Sequence, residues 1–108
     1  MFVRKATSLP KPNSIPKFSR LMEEEIIPML RKQNGFQGEL TFLAPEEDGV
    51  TRISLWEKAS NTEAYSRGRY PVVLKKLATL IEGTPKVATY EVVNSTFHKI
   101  AVAVAASG

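Results

Sequence analysis

The sequence predicts an α+β protein with an antiparallel sheet and the ferredoxin-like order strand–helix–strand–strand–helix–strand. Three observations carry that expectation. Phe18, Leu21, Met22, Ile26, Met29 and Leu30 recur at three- and four-residue spacing, which puts them on one helical face. Two strand-like runs, 36–44 and 50–56, are separated only by Pro45-Glu46-Glu47-Asp48-Gly49, a polar turn that reads as a hairpin. A second helical stripe, Val73, Leu74, Leu77, Leu80 and Ile81, then precedes a last extended run at 87–95.

Taken in order, Phe2 to Leu9 reads as a first strand, stopped by Pro10 and Pro12, which cannot extend a ladder. Asn13 or Ser14 caps the first helix, and Pro16 suits its first turn, where an amide has no helical partner. Glu23-Glu24-Glu25 falls mostly on the solvent side, and Arg31-Lys32 near the other end complements the helix dipole. Pro28 is expected to bend this helix, because it lacks an amide and crowds the carbonyl of Glu24. Gly35 supplies the left-handed conformation that ends it. After the hairpin, Ser60-Asn61-Thr62-Glu63 has capping-box spacing and starts a helix at Asn61. Gly68 interrupts that helix, Pro71 restarts it and Gly83 ends it. The tail from Thr96 to Gly108 is rich in Ala and Val, and pairing as an edge strand and staying loose are both open to it.

A chain of 108 residues, 43% hydrophobic and 24% charged, reads as one globular domain spanning 1–108. It has no cysteine, which excludes disulfides, zinc-thiolate sites and iron–sulfur clusters, and its single histidine is His98. No metal is expected. The net charge of +4 comes from scattered basic residues with no nucleic-acid-binding motif, so no nucleic-acid partner is expected. No apolar run is long enough to span a bilayer, and Met1-Phe2-Val3-Arg4-Lys5 carries charge where a signal peptide needs apolar residues. A cytoplasmic protein without a membrane partner follows as the expectation.

Both helices of this arrangement cover one sheet face, so the other meets water or a partner. One strand parity carries Leu40, Phe42, Ile53, Leu55, Tyr90 and Val92. The other carries Thr41, Leu43, Val50, Ser54, Trp56, Val87 and Val93, mixed with Glu39, Arg52 and Glu91. Neither is polar enough to stand open. A homodimer is therefore expected.

The run of short elements from Asn34 to Ser95, with Trp56 ending the third strand in Ile53-Ser54-Leu55-Trp56-Glu57, resembles the antibiotic-biosynthesis-monooxygenase-like family. The resemblance implies a dimeric α+β barrel, two sheets facing each other across a two-fold axis. It also implies a pocket between each sheet and its helices, to which the strand-end tryptophan contributes. Some members oxygenate quinol- or anthrone-like aromatics without metal or flavin, and others cleave haem. Haem-cleaving members hold the iron with a histidine on the helix after the tryptophan strand, and Ser60 to Ile81 contains none. His98 follows the fourth strand instead, so no cofactor is expected.

The implied function is a cofactor-independent monooxygenase acting on an electron-rich aromatic with O2. The alternative is a non-catalytic homodimeric module of the same fold, ligand-binding or structural. For the first, Trp56 is the aromatic wall of the site and Arg52 the cation that favours a phenolate. Tyr65 and Tyr70 are hydrogen-bonding groups, and Phe18 and Met22 are further ligand contacts. Arg52 has a second reading, as a cross-sheet partner of Glu39 or Glu91. Trp56 is expected to be buried and to border the largest internal pocket. Strand parity, however, groups it with Arg52 and Ser54 on the mixed face. Either that face is the pocket face or the strand carries a bulge.

Overall fold

The computed structural model describes residues 1–44 and 49–96. The hairpin turn from Pro45 to Asp48 and the tail from Phe97, His98 included, lie outside the described residues. Strand β1 (Phe2–Pro10) leads into helix α1 (Ile15–Leu21), a wide π turn (Met22–Ile26) and helix α2 (Ile27–Leu30). Strands β2 (Phe36–Ala44) and β3 (Gly49–Trp56) follow, then helices α3 (Ala59–Arg67) and α4 (Tyr70–Leu77) and strand β4 (Ile81–Glu91). The antiparallel sheet has the order β2-β3-β1-β4. This is the ferredoxin-like arrangement read from the sequence. No described helix is long and apolar enough to cross a membrane.

Pro28 acts through a π turn. The amide of Ile27 donates to the carbonyl of Met22, five residues back, and the widened turn accommodates a residue that has no amide. It also sets the packing. Phe18, Met22, Ile26 and Leu30 are four residues apart and all buried. In a regular α-helix each four-residue step rotates the side chain by about 40°, so three steps would swing Leu30 well away from Phe18. The wider turn cancels much of that drift and keeps all four against the sheet. They form one core with Val50 and Trp56 of β3, Tyr65 of α3, Tyr70, Val73 and Leu77 of α4, and Ile81. Lys76 reaches across from α4 to Glu25 at 2.8 Å.

Several element ends differ in detail from the sequence reading. Helix α3 begins at Ala59 with Lys58 as N-cap, two residues before the expected start. Asn61 Oδ1 accepts the Lys58 amide at 2.9 Å, so Asn61 does the work assigned to the Ser60–Glu63 pair. Ser14 stands at the N-cap of α1 but makes no side-chain cap bond. The largest difference is β4. Helix α4 stops at Leu77, and Ile81 is a buried strand residue, so the apolar spacing that continued the helix to Ile81 spans a turn. Gly83, at φ +63°, lies within a bulge where the β1–β4 register slips between Thr7 and Leu9. The strand ends at Glu91, leaving Val92 and Val93 beyond it.

Gly35 is left-handed as expected, at φ 79°, and its carbonyl accepts the Glu57 amide at 2.8 Å. A Cβ here would overlap the Asn61 carboxamide that caps α3. Gly35→Ala is therefore expected to lose about 2 kcal/mol or more, from the left-handed backbone and the displaced cap together. Urea unfolding of the variant measures it directly.

Candidate functional site

The helix-facing side of the sheet is the mixed parity, with no bulge in β3, and this answers the question the sequence left open. Val50, Arg52, Ser54 and Trp56 are all buried, while Thr51, Ile53 and Leu55 face away from the helices. The strand register sets the neighbours. Ser54 lies between Arg4 and Glu39, Arg52 between Ala6 and Thr41, and Trp56 between Phe2 and Phe36.

Trp56 has no solvent exposure. Phe36 meets its ring edge-on at 5.5 Å and Tyr65 lies at 5.1 Å. Its indole N–H donates to Ser54 Oγ at 2.8 Å, and the Ser54 hydroxyl lies 3.4 Å from the Arg4 carbonyl. Tyr70 follows Tyr65 at 5.8 Å. The Arg4 guanidinium closes the row, 3.8 Å from the Tyr70 ring centre and 5.0 Å from that of Tyr65. Arg4 Nε donates to Ser66 Oγ at 3.0 Å, tying β1 to α3.

Among the described residues no pocket borders Trp56: Phe36 and Tyr65 pack against its ring in the space where the pocket was expected. A cleft of only about 10 Å³ sits next to it, bounded by Arg4, Leu30, Glu39, Arg52, Ser54 and Tyr65. A groove of about 470 Å³ runs between α1, the π turn and the β2–β3 edge, with Phe18, Met22, Val50, Thr41 and Glu39 in its wall. Glu39 borders both. The expected site residues thus divide into two groups. Arg52 and Tyr65 line the cleft, with Trp56 and Tyr70 packed behind Tyr65, and Phe18 and Met22 line the groove.

Arg52 is 6% exposed, and its Nε and Nη2 have no hydrogen-bond partner. It forms no ion pair among the described residues, so pairing with Glu39 or Glu91 does not occur. Glu91 stands beside Phe2, in the Trp56 row and on the far side of β1. Burial lowers the Arg52 pKa, the Arg4 charge adds to that, and the two tyrosines and Glu39 oppose it. A guanidinium remains charged regardless. Burial raises the Glu39 pKa above the ordinary carboxylate value, against the Thr41 hydroxyl bond and the Arg52 charge. Burial likewise raises Tyr65, so its phenol stays protonated at neutral pH. Free guanidinium donors, a proton-accepting carboxylate and a neutral phenol together suit the removal of a proton and the stabilisation of the oxyanion it leaves.

Arg4 was missed from sequence. A signal existed: in this strand order β1 is central, and a cation there on the parity of Ala6 and Ser8 has to be buried.

The sequence matches no protein-family profile and no curated protein. Among solved structures, a monooxygenase of Streptomyces coelicolor in complex with the ligand nanaomycin D superposes with a TM-score of 0.74 at 17% identity, over 91% of this chain and 92% of that one. A Bordetella bronchiseptica protein provisionally named an antibiotic biosynthesis monooxygenase gives 0.73 at 17% identity, over 86% and 97%. A Deinococcus radiodurans protein with the same provisional name gives 0.71 at 13% identity, over 88% and 95%. The chain has the fold of the antibiotic-biosynthesis-monooxygenase-like proteins.

Proposed function

We propose that the chain is a cytoplasmic, homodimeric monooxygenase that oxidises an electron-rich quinol- or anthrone-like aromatic with O2, without metal, flavin or haem. One observation carries this reading: a buried cation, Arg52, with two unpartnered donors beside a carboxylate of raised pKa. The aromatic body lies in the groove against Phe18 and Met22. Glu39 removes a proton, and Arg52 stabilises the resulting phenolate or enolate. The anion gives one electron to O2, the aromatic radical and superoxide combine as a peroxide anion, and the proton taken by Glu39 returns to it to give the hydroperoxide. Loss of water leaves a carbonyl, so that CH2 and O2 become C=O and H2O. The protein's part is to bind, desolvate and orient. The dimer is supported by the sheet face away from the helices, where Leu40, Phe42 and Tyr90 are exposed.

Oxygen uptake with a panel of hydroquinones and anthrones is the test. With these neutral substrates Arg52→Ala is expected to lower kcat more than it raises KM, because the charge it neutralises develops after binding. The rate is expected to rise with pH as Glu39 ionises, above its ordinary 4.5. Uptake no faster than the spontaneous reaction defeats the proposal. A second reading, a non-catalytic ligand-binding module, draws support from the solid packing around Trp56 and would then stand.

A further inference from the structure

The geometry points to a ligand whose head is an oxyanion already ionised at neutral pH, a carboxylate on an aromatic body, held in the cleft by Arg52 and Arg4 with its body reaching past Glu39 to the groove. This concerns the ligand rather than the reaction and rests on the groove of the reading above. Oxygen uptake has no part in its test, so the two can fail separately.

The argument is one of charge balance. Arg4 and Arg52 are 4% and 6% exposed, and neither has a carboxylate partner among the described residues. Buried charges are ordinarily paired, because leaving one alone costs more than most contacts return. Arg4 is partly compensated by the faces of Tyr70 and Tyr65 and by Ser66. Arg52 has no such ring or hydrogen bond on Nε or Nη2, and only the charge of Glu39 offsets it. It neighbours Ala6 and Thr41, and the Arg4 charge repels it. Glu39 is the single acid bordering the cleft, so two cations face at most one anion. The Tyr70 hydroxyl, also buried, has no partner either.

Space selects among the possible remedies. The cleft's volume of about 10 Å³ is room for about one water or one ligand oxygen. A water would satisfy donors and leave the charge. An oxyanion does both, and Glu39, which lines both cleft and groove, is the side chain its aromatic body would pass to reach the larger space. A neutral phenol would need to lose its proton first, whereas a carboxylate arrives charged.

The test uses the whole chain with 2-naphthoate and its neutral counterpart 2-naphthamide as probes, read by thermal midpoint and Trp56 emission. Naphthoate is expected to raise the midpoint and to bind on the order of 30-fold or more tighter than the amide. Arg52→Met is expected to raise the midpoint of the free protein, since it removes an incompletely compensated buried charge, and to abolish the preference for the acid. Equal affinity for the two probes, or no binding of either, overturns the inference without recourse to any variant. So does an Arg52→Met protein that keeps the preference.

Discussion

Replacing Trp56 by alanine is expected to cost roughly 3–5 kcal/mol of folding stability. The indole has no solvent exposure and is enclosed by Phe36, Tyr65 and the helices above them. Its removal leaves a void bounded by two aromatic rings, which cannot collapse without leaving their own contacts. The Ser54 hydroxyl also loses the donor it accepts from. Against the roughly 5–15 kcal/mol available to a domain of this kind, the variant stands near the threshold of folding. Trp56→Phe is expected to avoid most of the loss, since it keeps a ring in the space. Equilibrium denaturation followed by far-UV circular dichroism separates the two. A Trp56→Ala protein as stable as the parent would mean that the packing described here is wrong.

Phe42→Lys is expected to turn a dimer into a monomer. Phe42 and Leu40 of β2 are 50% and 56% exposed, and Tyr90 of β4 is 50% exposed, all on the sheet face that no helix covers. Val3, Ile53 and Leu55 continue the same face between them. An obligate interface over it would bury on the order of 2,000 Å² or more in total. Two-fold symmetry places every substitution in the interface twice. An uncompensated charge there costs roughly 3–5 kcal/mol, so the dissociation constant should rise by about 100-fold or more. Sedimentation of parent and variant at micromolar concentration is the measurement. A parent that sediments as a monomer removes the dimer from the proposal.

The sequence was most legible where local chemistry and long-range pairing agree. Phe36–Ala44 is bounded by a left-handed glycine and a proline, and its strand has the expected limits. It was least legible at residues 78–86. Leu80 and Ile81 continue a helical spacing by coincidence, and Gly83 looks like the end of a helix. They belong instead to a strand whose existence depends on pairing with β1, some 75 residues away in sequence terms. The site divides in the same way. Arg52 and Trp56 share a strand, so their common face could be read from parity, and it held. Arg4 joins them only through the β1–β3 register, which no local pattern reveals. The cavity next to Trp56 failed for a third reason: whether rings fill a space depends on where Phe36 and Tyr65 end up, and spacing is silent on that.

The bulge in β4 has a consequence for assembly. The sheet has two edges, and they are not equivalent. Gly83 and Pro85 break the register of β4, and proline offers no donor to a neighbouring strand, so that margin is a poor template. The β2 margin has a register shift of its own between Phe36 and Gly38, but its nine residues include no proline, and it bears Leu40, Phe42 and Leu43 exposed. Endless growth of a sheet by identical copies needs two different margins that fit each other. A molecule with one receptive margin can add a single antiparallel copy there, β2 to β2, and that union consumes the only site for further addition. An irregular β4 margin would disfavour open-ended growth of the sheet through that edge.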